Sequence, residues 1–354
     1  MSSNNTAENK KRNSSIELFR IIATFLVLIV HFTNWFVGGM FDITDSSIPR
    51  EQIWGQIISS SISICCVNCF LVISGWFGLK LKTASIYKLW TMLVFIYVPC
   101  CFLRFYQGDV NLFALANSII AFTADSYFIQ NYLMLLFLSP ILNSFIEKYG
   151  DRIKFYVICF LLIEFIFSNV LPNESLLINR GYSLFHFVLM YLLGRLAYIY
   201  KECIFKIKRP IYLLIYFTSV TIIALQHLFH YPFTWEYSNI FVIIESFSLF
   251  FFFASANFFN KTINTIAESC FAVYVLHTSQ PLLTYLWDID NKWLVSYSYY
   301  RYIIQIVFLC IIVFVISVLY DKLRTWIFEK KLKGSYNHID GYISQMLNKY
   351  NLNL

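Results

Sequence analysis

The amino-acid sequence predicts an all-α polytopic membrane helix bundle of about ten transmembrane helices, with both termini in the cytoplasm. Three observations predict it. Hydrophobic residues make up 58% of the 354-residue chain and charged residues only 13%, against roughly 45–50% and 25% in soluble domains. No run alternates apolar and polar residues with the two-residue period of a membrane β-barrel, so helices are the spanning element. Apolar runs of membrane-crossing length recur along the whole chain, and its 37 Phe, 25 Tyr and 8 Trp suit lipid-facing surfaces with rings at the interfaces.

Residues 1–15 are polar and carry Lys10, Lys11 and Arg12, as a cytoplasmic tail ahead of a permanent first span. No small-residue cleavage site follows the apolar run near Gly38, which argues against a signal peptide. Apolar runs of about 17–25 residues then place spans at 18–37, 54–79, 86–105, 127–146, 153–171, 183–200, 210–230, 239–259, 266–287 and 302–320. The shorter apolar piece 111–123 is expected at the interface or re-entrant. One membrane domain covers 16–325, and 326–354 form a cytoplasmic tail. Within it, 330–354 either lies on the membrane surface as a short helix, with Ile343 and Met346 toward lipid, or stays free of it.

Charge supports this map. With Met1 inside, the inside segments hold Lys80, Lys82, Lys88, Lys148, Arg152, Lys154, Lys201, Lys206, Lys208, Arg209 and Lys261. Only Arg50, Arg104, Arg180, Lys292 and Arg301 fall outside. The net charge of +7 thus follows topology, and nucleic acid is not an expected partner. The cysteines lie mostly in apolar runs. Cys65, Cys66 and Cys69 are close in sequence but have no His or carboxylate beside them, so they read as packing groups. His227 and His230 lack a third ligand and read as interfacial residues, and no metal site is expected.

Ionisable groups inside spans cost about 2.5–3.5 kcal/mol on insertion scales, so each needs a reason. Arg20 and His31 are the sharpest pair. The ten residues IIATFLVLIV separate them, which brings both side chains to within about 20° of one helix face, about 16 Å apart along the axis. Either Arg20 snorkels to lipid phosphates while His31 satisfies a backbone carbonyl, or the two face a common polar chamber. Glu268 opens the ninth predicted span, and Glu245 sits in the outer half of the eighth. Glu245 orients His31 or binds a sugar hydroxyl on one reading; on the other it pairs with an Arg or stays protonated. Tyr274 and His277 are one turn apart on one face and either line the site or make a structural hydrogen bond.

The spacing of Arg20 and His31 resembles the first-span signature of the acyltransferase family 3 membrane proteins. Further motifs follow in order. Phe70, Ser74, Gly75 and Trp76 are similar to the family's Phe-rich Ser-Gly-aromatic second-span ending. Tyr127-Phe128 with Leu138-Ser139-Pro140-Ile141-Leu142 resembles its fourth-span pattern, and Leu193-Gly194-Arg195 its helix end. Ser269, Tyr274 and His277 resemble its penultimate helix. In place of an Arg-x-Arg pair at the start of the third span, this chain has Lys80, Lys82 and Lys88.

The resemblance implies a ten-helix bacterial inner-membrane enzyme that acylates hydroxyls of surface glycans or lipid-linked precursors. The expected donor is an acyl-coenzyme A, most simply acetyl-CoA, used as substrate with no permanently bound cofactor. Arg20, Lys80, Lys82 and Lys88 would form a cationic mouth for its phosphates, or the lysines simply follow positive-inside topology. Ser74 and Gly75 would allow close approach where the donor enters. The pantetheine arm would thread the bundle, its thioester near His31, which acts as general base; an unperturbed pKa of about 6.5 leaves imidazole largely neutral at pH 7. A glycan transporter or flippase is the alternative, disfavoured by the absence of evident broken helices or inverted repeats. A membrane sensor is a third reading, with no evident use for the Arg20–His31 pair.

Overall fold

The computed structural model describes residues 12–118, 126–170 and 178–349. Among them every regular element is helical. Helix α1 (Ser14–Val30) begins where the Asn13 side chain accepts a hydrogen bond from the Ser15 N–H, an N-cap that satisfies one of the free donors of the first turn. It passes directly into a π-helical turn, His31–Trp35. Then follow α2 (Arg50–Ser63), α3 (Cys66–Phe77), α4 (Thr83–Gln107), α5 (Leu112–Ser118), α6 (Tyr127–Tyr149) and α7 (Ile153–Phe165). The second half holds α8 (Leu184–Ile199), α9 (Lys201–Ile204), α10 (Arg209–Leu228), α11 (Ile240–Ala254), α12 (Lys261–Ala267), α13 (Cys270–His277), α14 (Leu282–Ser296) and α15 (Tyr299–Lys349).

Six stretches are long and apolar enough to cross a bilayer: Ser14–Trp35, Arg50–Phe77, Thr83–Gln107, Tyr127–Tyr149, Arg209–Leu228 and Tyr299–Phe328. Leu184–Ile199 and Ile240–Ala254 are apolar but shorter. The protein is therefore an all-helical membrane bundle.

One expectation is corrected here. The ninth predicted span, 266–287, is not one helix. It is interrupted at Glu268 and Ser269, ends at His277, and gives way to the separate α14. Local chemistry explains the stop: the Thr278 and Ser279 hydroxyls donate to the carbonyls of Tyr274 and Val275, and Pro281 has no N–H with which to continue the ladder. The second span, Arg50–Phe77, carries a turn at Ile64 and Cys65, between α2 and α3. Beyond 326 and as far as Lys349 the chain continues α15, which is 51 residues long. Of the short apolar piece 111–123, α5 forms with no buried residue; its residues 119–123 lie outside the described residues, as do 350–354 of the tail.

Helix α1 is the central post. It touches α2, α3, α11, α12, α13 and α15, and Phe19, Ala23 and Leu28 are fully buried in it. Phe19 meets the edge of Phe250 from α11 at 5.5 Å. Helices α3 and α8 meet backbone to backbone. A Cβ on Gly75 would stand 2.4 Å from the Tyr191 carbonyl oxygen and 2.8 Å from the Cα of Gly194. Two glycines thus let two backbones touch, the usual means of tight packing between membrane helices. The close approach at Gly75 is made to α8.

Backbone cannot give way as a flexible side chain would, so Gly75→Ala is expected to destabilise the protein by about 1–3 kcal/mol. A thermal melt in detergent, followed by loss of the monodisperse species, checks this. An unchanged midpoint would mean that the two helices separate freely.

Candidate active site

Two polar ends flank the bundle. At the Ser14 end, Glu17 is buried and gathers cations. Arg12 Nε lies 2.6 Å and Arg20 Nη1 lies 3.0 Å from its carboxylate. Glu268 stands at the same end, half-exposed, with Arg12 at 3.3 Å and Lys322 at 3.4 Å. Arg20 keeps a quarter of its side chain exposed, and the Tyr132 hydroxyl lies beside Ser74 and near Arg20. Ser74 itself donates to the Phe70 carbonyl at 2.9 Å.

Lys80 and Lys82 are exposed on the strap between α3 and α4, and Lys88 is exposed on the first turns of α4. The strap is pinned at Leu79. Its N–H donates to the Tyr191 hydroxyl at 3.0 Å, and its carbonyl accepts from Asn143 at 2.8 Å.

At the opposite end a cavity of about 1300 Å³ opens above His31. Its walls come from the π turn, the last turns of α4, α5, the start of α6, the segment around Trp235 and the end of α13. Rings from Trp35, Tyr127, Tyr182, Trp235, Tyr274 and Trp287 line it. Glu236 also lines it, held by Arg180 at 3.5 Å. Burial pushes the Glu236 carboxyl up, and the Arg180 guanidinium draws it part of the way back.

The imidazole geometry fixes the protons. His277 is fully buried, and its Nδ1–H donates to the Val273 carbonyl at 2.7 Å. Its Nε2 therefore carries a lone pair and accepts from His31 Nδ1–H at 2.8 Å. That leaves His31 Nε2 as a free lone pair, on a residue that lines the cavity. Trp35 meets the His31 ring at 4.9 Å and Tyr274 at 6.4 Å.

The π turn that presents His31 is fastened from three elements. A π turn disturbs the normal carbonyl ladder and recurs at functional sites; here the Phe36 N–H closes on the His31 carbonyl at 2.8 Å. Tyr302 from α15 donates to the Phe32 carbonyl at 3.0 Å, with Asp290 2.9 Å from the same hydroxyl. Gln56 from α2 donates to the carbonyls of Thr33 and Gly39 at 2.8 and 2.9 Å, and Asn291 from α14 to that of Phe36 at 3.1 Å.

The structure thus brings His31, Tyr274 and His277 together, and gathers Arg20, Ser74 and the exposed lysines at the other end. It does not join Glu245 or Glu268 to either imidazole. Glu245 is fully buried beside the Cys65 thiol, and neither carboxylate oxygen has a hydrogen-bond partner. Nor do Arg20 and His31 share one chamber. Arg20 is not among the cavity's lining residues. A run of rings lies along the way: Tyr274 to Phe128 at 5.2 Å, and Phe128 stacked on Tyr132 at 5.9 Å. Phe271 packs against both Phe128 and Tyr132, at 6.2 Å from each.

Sequence reasoning missed a second buried constellation. Glu164 lies 2.9 Å from His186 Nδ1, and the other ring nitrogen lies 2.8 Å from Asn68 Oδ1. Asn68 in turn donates to the Tyr237 carbonyl at 2.9 Å. The signal was present, because Glu164 and His186 are both ionisable groups inside predicted spans. Among the described residues, no three His, Cys, Asp or Glu groups are placed to share a metal ion.

An apolar helical bundle, with paired imidazoles at the foot of a ring-lined cavity, defines the class: a multi-pass membrane protein. The family model described as "Acyltransferase domain", that of acyltransferase family 3, matches residues 13–322, and the chain belongs to that family. No curated protein and no solved structure matches it.

Proposed function

We propose that the protein is a membrane O-acyltransferase that moves an acetyl group from acetyl-CoA to a hydroxyl of a cell-envelope polysaccharide or lipid-linked glycan. It works in the inner membrane of a bacterium, with ten crossings and both termini in the cytoplasm. The distribution of lysine and arginine supports that orientation, with the Arg20 end inside. The observation that carries the reading is the directed hydrogen bond from His31 to His277, which leaves His31 Nε2 as a lone pair at the cavity floor.

In this reaction His31 Nε2 takes the proton of the acceptor hydroxyl as that oxygen attacks the thioester carbonyl. The C–S bond then breaks, and the departing thiolate takes the proton back from the imidazolium, so no net proton is lost. His277 orients the ring and spreads the transient charge. Arg20, Lys80, Lys82 and Lys88 attract the phosphates of the donor at the opposite end. Lysines act there as mobile point charges, without the planar fork of arginine. The pantetheine arm passes the rings of Tyr132, Phe128 and Tyr274, which turn aside for it.

The test is purified protein with radiolabelled acetyl-CoA and glycan extracted from envelopes. Transfer of label to the glycan, or slow release of labelled acetate without it, is expected. Neither transfer nor release would overturn the reading. The interrupted spans at Ile64–Cys65 and Glu268–Ser269 favour a second reading, a glycan transporter. Glycan flux across vesicles with no consumption of acetyl-CoA would select it.

A further inference from the structure

Among the described residues, the wall of the His31 cavity carries one cation with no hydrogen-bond or ion-pair partner. Arg104 stands in the last turn of α4 and lines both this cavity and an adjoining recess of about 580 Å³. Its guanidinium makes no hydrogen bond or ion pair with any described residue. Glu236, the carboxylate of the cavity wall among the described residues, is engaged by Arg180. Asp109 and Asp288 line the recess together with Arg104, with no ion pair to it among the described residues.

Gln280 is the other residue shared by the two spaces. Its carbonyl oxygen accepts from the Thr284 hydroxyl, so it offers the cavity its NH₂ group. A guanidinium has only donors as well. The two residues common to both spaces, Arg104 and Gln280, therefore present donors, while Asp109 and Asp288 line the recess and not the cavity. A neutral sugar hydroxyl both gives and takes a hydrogen bond, whereas a carboxylate or phosphate has only lone pairs to give such a corner. The volume, above the roughly 300–1,000 Å³ of a small-molecule site, admits several sugar rings against the aromatic walls.

We infer that the cavity's ligand is an anionic glycan, its carboxylate or phosphate held by Arg104 and Gln280. The inference rests on the acyl-transfer reading for the use made of the ligand, and on the cavity alone for its charge.

The test uses purified wild-type protein, Arg104→Gln and Arg104→Lys in nanodiscs of neutral lipid. Three fluorescent probes are titrated: a glucuronic-acid hexasaccharide, its carboxyl-reduced neutral counterpart, and N-acetylglucosamine linked through diphosphate to a short prenyl chain. At least one anionic probe is expected to bind about tenfold or more tightly than the neutral one, a preference of about 1.4 kcal/mol. Which of the two does so tells a sugar carboxylate from a carrier phosphate. Arg104→Gln abolishes the preference, and Arg104→Lys keeps part of it.

Equal affinity for charged and neutral probes, no binding of any probe, or a preference that survives in Arg104→Gln would overturn the inference. So would the finding that anionic lipid added to the discs stabilises the protein through Arg104 while no probe is preferred, since the residue would then anchor lipid. Acetyl-CoA consumption on the same samples reports separately on the acyl-transfer reading. A charge preference without acyl chemistry keeps the anionic site and removes the enzyme.

Discussion

His31→Ala is expected to fold, insert and lose acyl transfer by about 10²–10⁴-fold, the usual worth of a positioned general base. The cavity, the rings and the cationic end all remain in this variant, so donor and acceptor should still bind with little change. The loss therefore falls on kcat and not on KM. His277→Ala separates position from chemistry. It removes the acceptor of the His31 Nδ1–H, which lies 2.8 Å away, and frees the ring to turn or change tautomer. A smaller fall is expected there, with rescue by His277→Gln, whose amide can both donate to the Val273 carbonyl and accept from His31. Initial rates with labelled acetyl-CoA check both. A His31→Ala protein that folds normally and transfers at the wild-type rate would remove the residue from the chemistry.

The largest stability effect is expected at Glu164. Its side chain is 2% exposed and that of His186 0%, so the pair is held in a low dielectric with no water to replace either partner. Because the Asn68 NH₂ is committed to the Tyr237 carbonyl, its oxygen faces His186 Nε2, which must therefore carry the hydrogen. One further proton is shared between Glu164 and His186 Nδ1. Glu164→Ala strands the imidazole and should cost about 3–5 kcal/mol, as breaking a buried pair does. Glu164→Gln keeps a group able to donate to Nδ1 and should cost much less. Thermal midpoints in detergent decide the matter, and alanine and glutamine variants that both melt with the wild type would mean the pair carries no stability. The effect should also reach the cavity, because Asn68 holds the backbone of Tyr237 in its wall.

Helices α1, α4, α6, α8, α10 and α11 were legible in the sequence because lipid leaves a long apolar run few other fates. The boundary of α10 was marked by Lys208, Arg209 and Pro210, with proline in its first turn. Hydropathy does not register a break made by hydroxyls and one proline, so α13 and α14 were read as a single span. The pairing of Tyr274 with His277 on one face was readable from their spacing; that His277 meets His31 was not, since nothing local connects α1 to α13. Glu245 left both of its readings open in the sequence. A lone carboxylate in a span draws attention, yet this one points into the cysteine-lined packing around Cys65. The anchors of the π turn, Gln56, Tyr302 and Asn291, carried no periodic signal, because their partners are backbone carbonyls that become available only once the turn has formed.

The rings between Arg20 and His31 bear on the energy economy of the cell. A vestibule of solvent that ran through the whole bundle would let protons and ions leak down their electrochemical gradient. Phe128, Tyr132 and Phe271 pack against one another between the two ends, and rings that stay packed there would hold such a path shut in the resting protein.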